Sequence, residues 1–236
     1  SYLNTKPLIY GFQQGKMKDE IDLIIDYPAQ IASMLQTDKI DIGLVPIAVI
    51  PSLKEHHIIS DYCIACNGEV GSVCLFSDVP LSEIKTVLLD YQSKTSVELL
   101  IILLKEHWRI APELVSGNDN YEKGIAGTTA GLVIGDRALA QRLRSKYIYD
   151  LGLAWKEMTG LPFVFAAWIS NKKLPRRFIE DFNEANEFGF SNLQQVIEQN
   201  PNGFFDLGSY YTRYIKFRLD PQMHEAKALF LRKISN

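Results

Sequence analysis

Positive charge is not in excess in this chain: 25 Lys and Arg stand against 28 Asp and Glu, a net charge of -3. That balance excludes the basic stripe that a nucleic-acid footprint needs. The one basic cluster, Lys172, Lys173, Arg176 and Arg177 around Pro175, reads as the solvated start of a helix. Long apolar runs are also lacking. No stretch of about 18 apolar residues is free of charge, so no membrane-spanning helix and no membrane partner are expected. The first residues carry neither the basic nor the apolar region of a secretory leader, and a cytoplasmic location is expected. Cysteine is scarce, with Cys63, Cys66 and Cys74 the only three. An odd count fits reduced thiols rather than a disulfide framework. Cys63 and Cys66 form a CxxC, but they lie in SDYCIACNGEVGSVCLFS, which reads as extended chain. Residues three apart in a strand face opposite ways, and no nearby His or second CxxC completes a metal site. Neither a metal nor a cofactor is expected. His56 and His57 follow a polar turn and read as surface residues, and no internal repeat or low-complexity segment is visible.

What is present is enough apolar residue for a sizeable core: 236 residues at 47% hydrophobic suit one large domain or two small lobes. Strand-like runs alternate with helical patterns. Residues 21–25, 40–45, 86–89 and 131–134 read as strands, and 29–35, 97–105 and 137–144 as helices, an alternation that favours parallel sheets covered by helices. Two longer extended segments, 58–76 and 161–169, stand apart and suggest two crossings between lobes. The division that follows is 1–75 plus 164–236 for one lobe and 76–163 for the other, with a ligand cleft between them. From 175 to 233 the chain reads as almost wholly helical, interrupted at 200–203 and near Pro221. Tyr210, Tyr211, Tyr214 and Phe217 fall close to one helical face, which reads as packing on the first lobe.

The polar stretch SYLNTKPL opens the chain. It reads as a strand-ending loop feeding a helix, with Pro7 in the first turn and Leu8, Ile9 and Phe12 on an apolar face. A short β-strand is expected ahead of Ser1, since the chain starts in the loop itself and without Met. A helix N-terminus leaves backbone N–H groups unpaired and carries partial positive charge, so Ser1, Asn4 and Thr5 can help cradle a carboxylate or phosphate. Helix capping is the plainer role for the same side chains. In open α/β sheets, ligands meet the loops at the carboxyl ends of strands, and three more such loops can be named. They are 46–48, the segment DYQSKTS with Ser93, Thr95 and Ser96, and Gly135 with Asp136. Capping serves equally for the serines and is favoured for Asp136. Two anion cradles on either side of a cleft suit a compact dicarboxylate.

Taken together, SYLNTKPL, ACNGEVGSVCLFS, LDYQSKTS, LVIGDRAL and YDLGLAWKEMTGLPFVFAAW resemble the chorismate dehydratases of the futalosine route to menaquinone. The resemblance runs from Ser1 to about Trp168; the helical tail is less diagnostic. It implies a two-lobe, type II periplasmic-binding-protein fold used as a cytoplasmic enzyme, a hydro-lyase. The implied reaction takes water from chorismate to give 3-[(1-carboxyvinyl)oxy]benzoate: a proton leaves ring carbon 3, the hydroxyl leaves carbon 4, and the enolpyruvyl ether survives.

By the same resemblance, Asn4 and Ser72 stand beside the reacting ring; Ser1, Tyr2, Thr5, Ser93, Thr95, Ser96, Gly135 and Asp136, on the strand-end loops, are the candidate substrate-binding residues. A helix cap for Asn4 and a strand-edge hydroxyl for Ser72 are the structural alternatives. No histidine falls in the matching motifs. Glu69 is the only carboxylate near Ser72 in GEVGSV and is the possible base, although a solvated turn also accounts for it. The expected route is therefore substrate assistance, in which the enolpyruvyl carboxylate takes the ring proton. LVPIAVIP offers the cleft no acidic or aromatic side chain, so a substrate contact at 46–48 stays open. A solute-binding protein for a small carboxylate shares the fold and the cradle. The related 1,4-dihydroxy-6-naphthoate synthase would be expected to place a histidine among its ligand loops. The oligomeric state is not legible in these residues.

Overall fold

In the computed structural model, which describes residues 2–235, a short 3₁₀ turn (Leu3–Thr5) runs into helix α1 (Lys6–Gln14). Helix α2 (Pro28–Gln36) and strands β1 (Ile42–Pro46), β2 (His57–Cys66), β3 (Val73–Ser77) and β4 (Thr86–Leu89) follow. Helix α3 (Lys94–Ile102) ends in a π-helical turn and leads to β5 (Glu113–Ser116), β6 (Thr129–Ile134), α4 (Gly135–Gln141) and β7 (Tyr147–Asp150). Then come α5 (Leu151–Thr159), β8 (Phe163–Ser170), α6 (Arg176–Ser191), α7 (Leu193–Glu198), α8 (Leu207–Ser209), β9 (Lys216–Arg218) and α9 (Pro221–Ile234). Pro7, Pro28 and Pro221 all sit at the first or second helical position, where the missing N–H is harmless.

The strands form two sheets, in the orders β1-β8-β2-β9 and β5-β4-β6-β3-β7. The chain leaves the first sheet at Cys66 and joins the second at Val73, then returns through α5 into β8. Because β3 pairs with β6 and β7, the boundary expected at 75/76 falls inside a strand of the second sheet, and the crossing lies at 67–72. All the strand pairs of the first sheet are antiparallel, which corrects the expectation of parallel sheets: β8 runs back between β1 and β2, opposite to both. The second sheet is mixed, parallel where β4 meets β5 and β6, antiparallel around β3.

Two further expectations change. Residues 21–25 form no strand among the described elements. They are irregular chain with Ile24 and Ile25 nearly half exposed, and they line a cavity together with residues of β1 instead of pairing with a neighbouring strand. Phe217 belongs to β9 rather than to a helix, and there it pairs beside β2, breaking the helical tail.

Helices α1 and α6 pack at backbone distance. A Cβ on Gly11 would lie 1.8 Å from the Ala185 carbonyl oxygen, and one on Gly189 1.8 Å from that of Pro7. The close approach brings Phe12 to 4.6 Å from Phe182 and 5.7 Å from Trp168, ring centre to ring centre. At the return crossing, Phe163 lies 5.1 Å from both Trp155 and Phe230, and the Trp155 indole donates to the Pro162 carbonyl at 2.9 Å. Among the described residues no helix is long and apolar enough to cross a membrane.

The three free cysteines are buried, and burial pushes each thiol well above its ordinary value. A thiol titration of the native protein at about pH 8 should therefore show no fast-reacting group, and all three cysteines after denaturation. A fast native thiol would mean that β2 or β3 opens readily.

Candidate active site

A cavity of about 620 Å³ is lined by residues of both sheets and of the 67–72 crossing, a size in the usual range for small-molecule sites, about 300–1,000 Å³. Asn4, Thr5 and Tyr2 line it from the start of the chain, Ser72 from the crossing turn, Ser93 and Ser96 from the start of α3, and Gly135 from the start of α4. Residues at the N-terminal ends of α1 and α3 thus meet at one cavity, and helix N-termini favour anions.

Ser72 is fully buried at the end of the crossing turn. The turn is held by Asp150, whose carboxylate accepts from the backbone N–H of Val70 (3.1 Å) and Gly71 (2.8 Å). The same carboxylate caps α5 through Leu153 N at 3.1 Å and accepts from the Cys74 thiol at 3.6 Å. Burial pushes the Asp150 carboxyl up, against the pull of these donors. The Ser72 carbonyl accepts from Gly135 N at 2.8 Å, and its hydroxyl oxygen accepts from Tyr210 at 2.7 Å.

Asn4 is half-buried, and its side-chain oxygen accepts a 3.3 Å bond from the Thr5 hydroxyl. Neither residue caps α1: Thr5 occupies the cap position with helical dihedrals and no side-chain cap bond. The Asn4 amide nitrogen has no acceptor among the described residues. Ser93 does cap α3, accepting from Ser96 N at 3.4 Å, and the two hydroxyls lie 3.1 Å apart. Thr95 faces away from the cavity lining and accepts from Ala48 N at 3.0 Å, which ties the 46–48 loop to α3. Asp136 is not a cap, correcting the favoured expectation. Its carboxylate accepts from Leu3 N at 2.9 Å and is pushed up by burial. Glu69 is exposed and is not among the residues lining the cavity. Ser1 lies outside the described residues.

Tyr2 packs its ring over Gly135, which has φ of 62°; a Cβ there would lie 2.5 Å from the ring. The position is therefore closed to side chains on both counts. The Tyr2 hydroxyl meets Gln92, which also accepts from Arg137 at 3.1 Å. Arg137 pairs with the buried Asp90 (2.7 Å) and with Glu122 (2.6 Å). Burial pushes the Asp90 carboxyl up while Arg137 opposes it. Tyr121 adds a 2.7 Å bond to Asp90.

Sequence reasoning missed Asp150, Arg137, Tyr210 and Tyr211 as parts of this site. Asp150 was detectable as an N-cap before LGLAW. The Tyr210 and Tyr211 contacts, the latter a 2.8 Å bond to the Leu3 carbonyl, join residues more than a hundred positions apart and leave no local pattern.

A family model described as menaquinone biosynthesis matches residues 1–236. A chorismate dehydratase of Thermus thermophilus is 28% identical over 197 residues, 72% of this chain and 70% of that protein. Among solved structures, a protein of Archaeoglobus fulgidus superposes with a TM-score of 0.69 at 13% identity, over 99% of this chain and 94% of the other. The periplasmic aliphatic sulphonate binding protein of Escherichia coli superposes with a TM-score of 0.56, also at 13% identity, over 99% and 82%. The fold is that of the two-lobe periplasmic binding proteins.

Replacing Asp150 by Ala leaves the buried N–H groups of Val70, Gly71 and Leu153 without their acceptor. It should cost about 2–4 kcal/mol of stability in urea unfolding. A loss under about 0.5 kcal/mol, the scale of a neutral surface change, would show that the turn holds without the clamp.

Proposed function

This chain belongs to the menaquinone biosynthesis family, and from that premise we propose that it is a chorismate dehydratase. It converts chorismate to 3-[(1-carboxyvinyl)oxy]benzoate on the futalosine route, in the cytoplasm and without cofactor or metal. The observation that carries this reading is the meeting at one cavity of the Asn4 amide and the Ser72 hydroxyl, beside the N-terminal turns of α1 and α3. The similarity to a chorismate dehydratase over 72% of the chain supports it.

The first lobe carries β1, β2, β8 and β9, the second β3 to β7, and substrate lies between them. The two helix N-termini take the two carboxylates of chorismate. Tyr2, Thr5, Ser93, Ser96 and Gly135 shape the pocket, while Thr95 and Asp136 brace its walls rather than touch the ring. Asn4 and Ser72 donate hydrogen bonds to the enolpyruvyl carboxylate and to the departing hydroxyl. That carboxylate takes the proton from carbon 3. The C–H electron pair becomes the third ring double bond, the C4–O bond breaks, and the hydroxide collects the proton, leaving as water and restoring the carboxylate. Aromatisation drives the step, so the protein's task is alignment and support of the leaving oxygen.

No histidine among the described residues lines the cavity, and its acidic lining residues, Glu20, Asp22, Asp26 and Asp41, are all exposed. Those placements favour a substrate-derived base over a side chain. They also weigh against the naphthoate synthase, for which a histidine among the ligand loops was expected.

Chorismate incubated with the protein should yield a species lighter by one water, with aromatic protons and an intact enolpyruvyl group, read by mass spectrometry and proton NMR. Chorismate bound but unchanged would replace the dehydratase reading with solute binding. Asn4→Ala and Ser72→Ala should each lower turnover on the order of a hundredfold, and full activity in both would dismiss this site. Glu69→Gln should leave turnover nearly intact, whereas a loss of roughly a hundredfold would make Glu69 the base.

A further inference from the structure

Ser72 has one side-chain partner among the described residues, the hydroxyl of Tyr210, which donates to Ser72 Oγ at 2.7 Å. A serine hydroxyl has one proton to give and two lone pairs. Tyr210 occupies one lone pair, and the serine proton has no acceptor among the described residues, which leaves it available to a molecule in the cavity that Ser72 lines. Tyr210 is poorly placed to reverse the bond. It is buried, its ring lies 5.7 Å from both Phe205 and Tyr211, it does not line the cavity, and among the described residues its phenol proton has no acceptor other than Ser72 Oγ. Its place in the chain is fixed as well: Asp206 caps α8 through Gly208 N and Ser209 N, immediately before the π-helical turn that Tyr210 opens. The C-terminal region thus reaches back across the fold to the crossing turn at one hydroxyl.

We propose that Tyr210 is a positioning residue for the reaction: by donating to Ser72 it fixes that hydroxyl as a donor aimed at the substrate. The inference rests on the reading that Ser72 touches chorismate. Donation by the phenol also polarises the serine O–H, strengthening the bond it makes in turn. The contribution is to the geometry of the reacting complex and not to substrate capture, so it belongs in kcat more than in KM.

The test is a double-mutant cycle of Tyr210→Phe and Ser72→Ala, with kcat and KM measured for chorismate. Tyr210→Phe should lower kcat about five- to tenfold and change KM by less than about twofold, the scale of one lost neutral hydrogen bond. In the Ser72→Ala background the same change should have no further effect on kcat. Equal losses in both backgrounds, or full activity of Tyr210→Phe, would overturn the positioning role and leave the dehydratase reading in place. If wild-type protein binds chorismate without converting it, the dehydratase reading falls. The cycle is then read in chorismate affinity by calorimetry, where additive effects overturn the role of Tyr210. Chorismate neither bound nor converted overturns both. Should Tyr210→Phe fail to fold, protein labelled with 3-fluorotyrosine keeps the question open to measurement. One fluorine resonance from a buried tyrosine should move on Ser72→Ala and again on adding chorismate to the wild type, and no response to Ser72→Ala would end the proposal.

Discussion

One buried carboxylate sets the terms for the rest of the structure. Asp150 ends β7, caps α5 and accepts the Val70 and Gly71 N–H groups, so the second sheet, the return helix and the first crossing are joined at a single side chain. A turn that passes between two sheets cannot satisfy its backbone within a ladder, and a buried donor left unpaired is costly. The carboxylate resolves that cost with two oxygens. Its consequence is positional, because Ser72 follows directly and can lie only where the clamped turn delivers it. The neighbouring glycine contact confirms the confinement: Gly152 would bring a Cβ within 2.6 Å of the Gly68 carbonyl oxygen.

Besides the core they share, the two sheets are joined across the cleft by a small set of directional contacts. Leu3 N to Asp136, Ala48 N to Thr95, the Tyr2 ring on Gly135 and the Tyr2–Gln92 contact all join a loop of the first half to a helix start or loop of the second. Each is polar or is a close approach to glycine, set beside the apolar core that the two sheets share. Hydrophobic burial is non-directional and tolerates sliding, whereas these contacts are lost over less than an ångström. The side chains that brace the cavity therefore also set its width. The Arg137 network anchors one side of it, since Asp90 is fully buried and remains tolerable only while paired.

What the residues revealed in advance follows from how local each signal is. Pro7 at a helix start and the apolar run of β8 were legible because propensity and periodicity act over a few residues. The loops bearing Asn4, Ser72 and Ser93 were legible through their order along the chain and their likeness to a known family. Sheet direction was not: alternating strands and helices suggested parallel pairing, but β8 enters after a long excursion and runs antiparallel to β1 and β2. Residues 21–25 have the composition of a strand, yet a strand needs a neighbour, and here a cavity lies alongside instead. Asp136 illustrates the same limit, since a carboxylate at a helix start reads as a cap until a distant N–H, that of Leu3, claims it.

The chemistry proposed for the site explains why neutral donors would suffice. Chorismate holds two leaving possibilities in close proximity, the ring hydroxyl and the enolpyruvyl ether, and only the first must depart. A strong acid beside both oxygens would not discriminate between them by proton transfer. An amide and a hydroxyl discriminate by position: they stabilise charge only where a lone pair develops within hydrogen-bond reach. On the proposed reading, selectivity then becomes a matter of holding Asn4 and Ser72 still. The Ser72 side of that demand is met by Asp150 through the backbone and by Tyr210 through the hydroxyl, two contacts from opposite ends of the sequence. A site of this kind needs no unusual side chain of its own. It needs its surroundings to remove the freedom that ordinary ones would have.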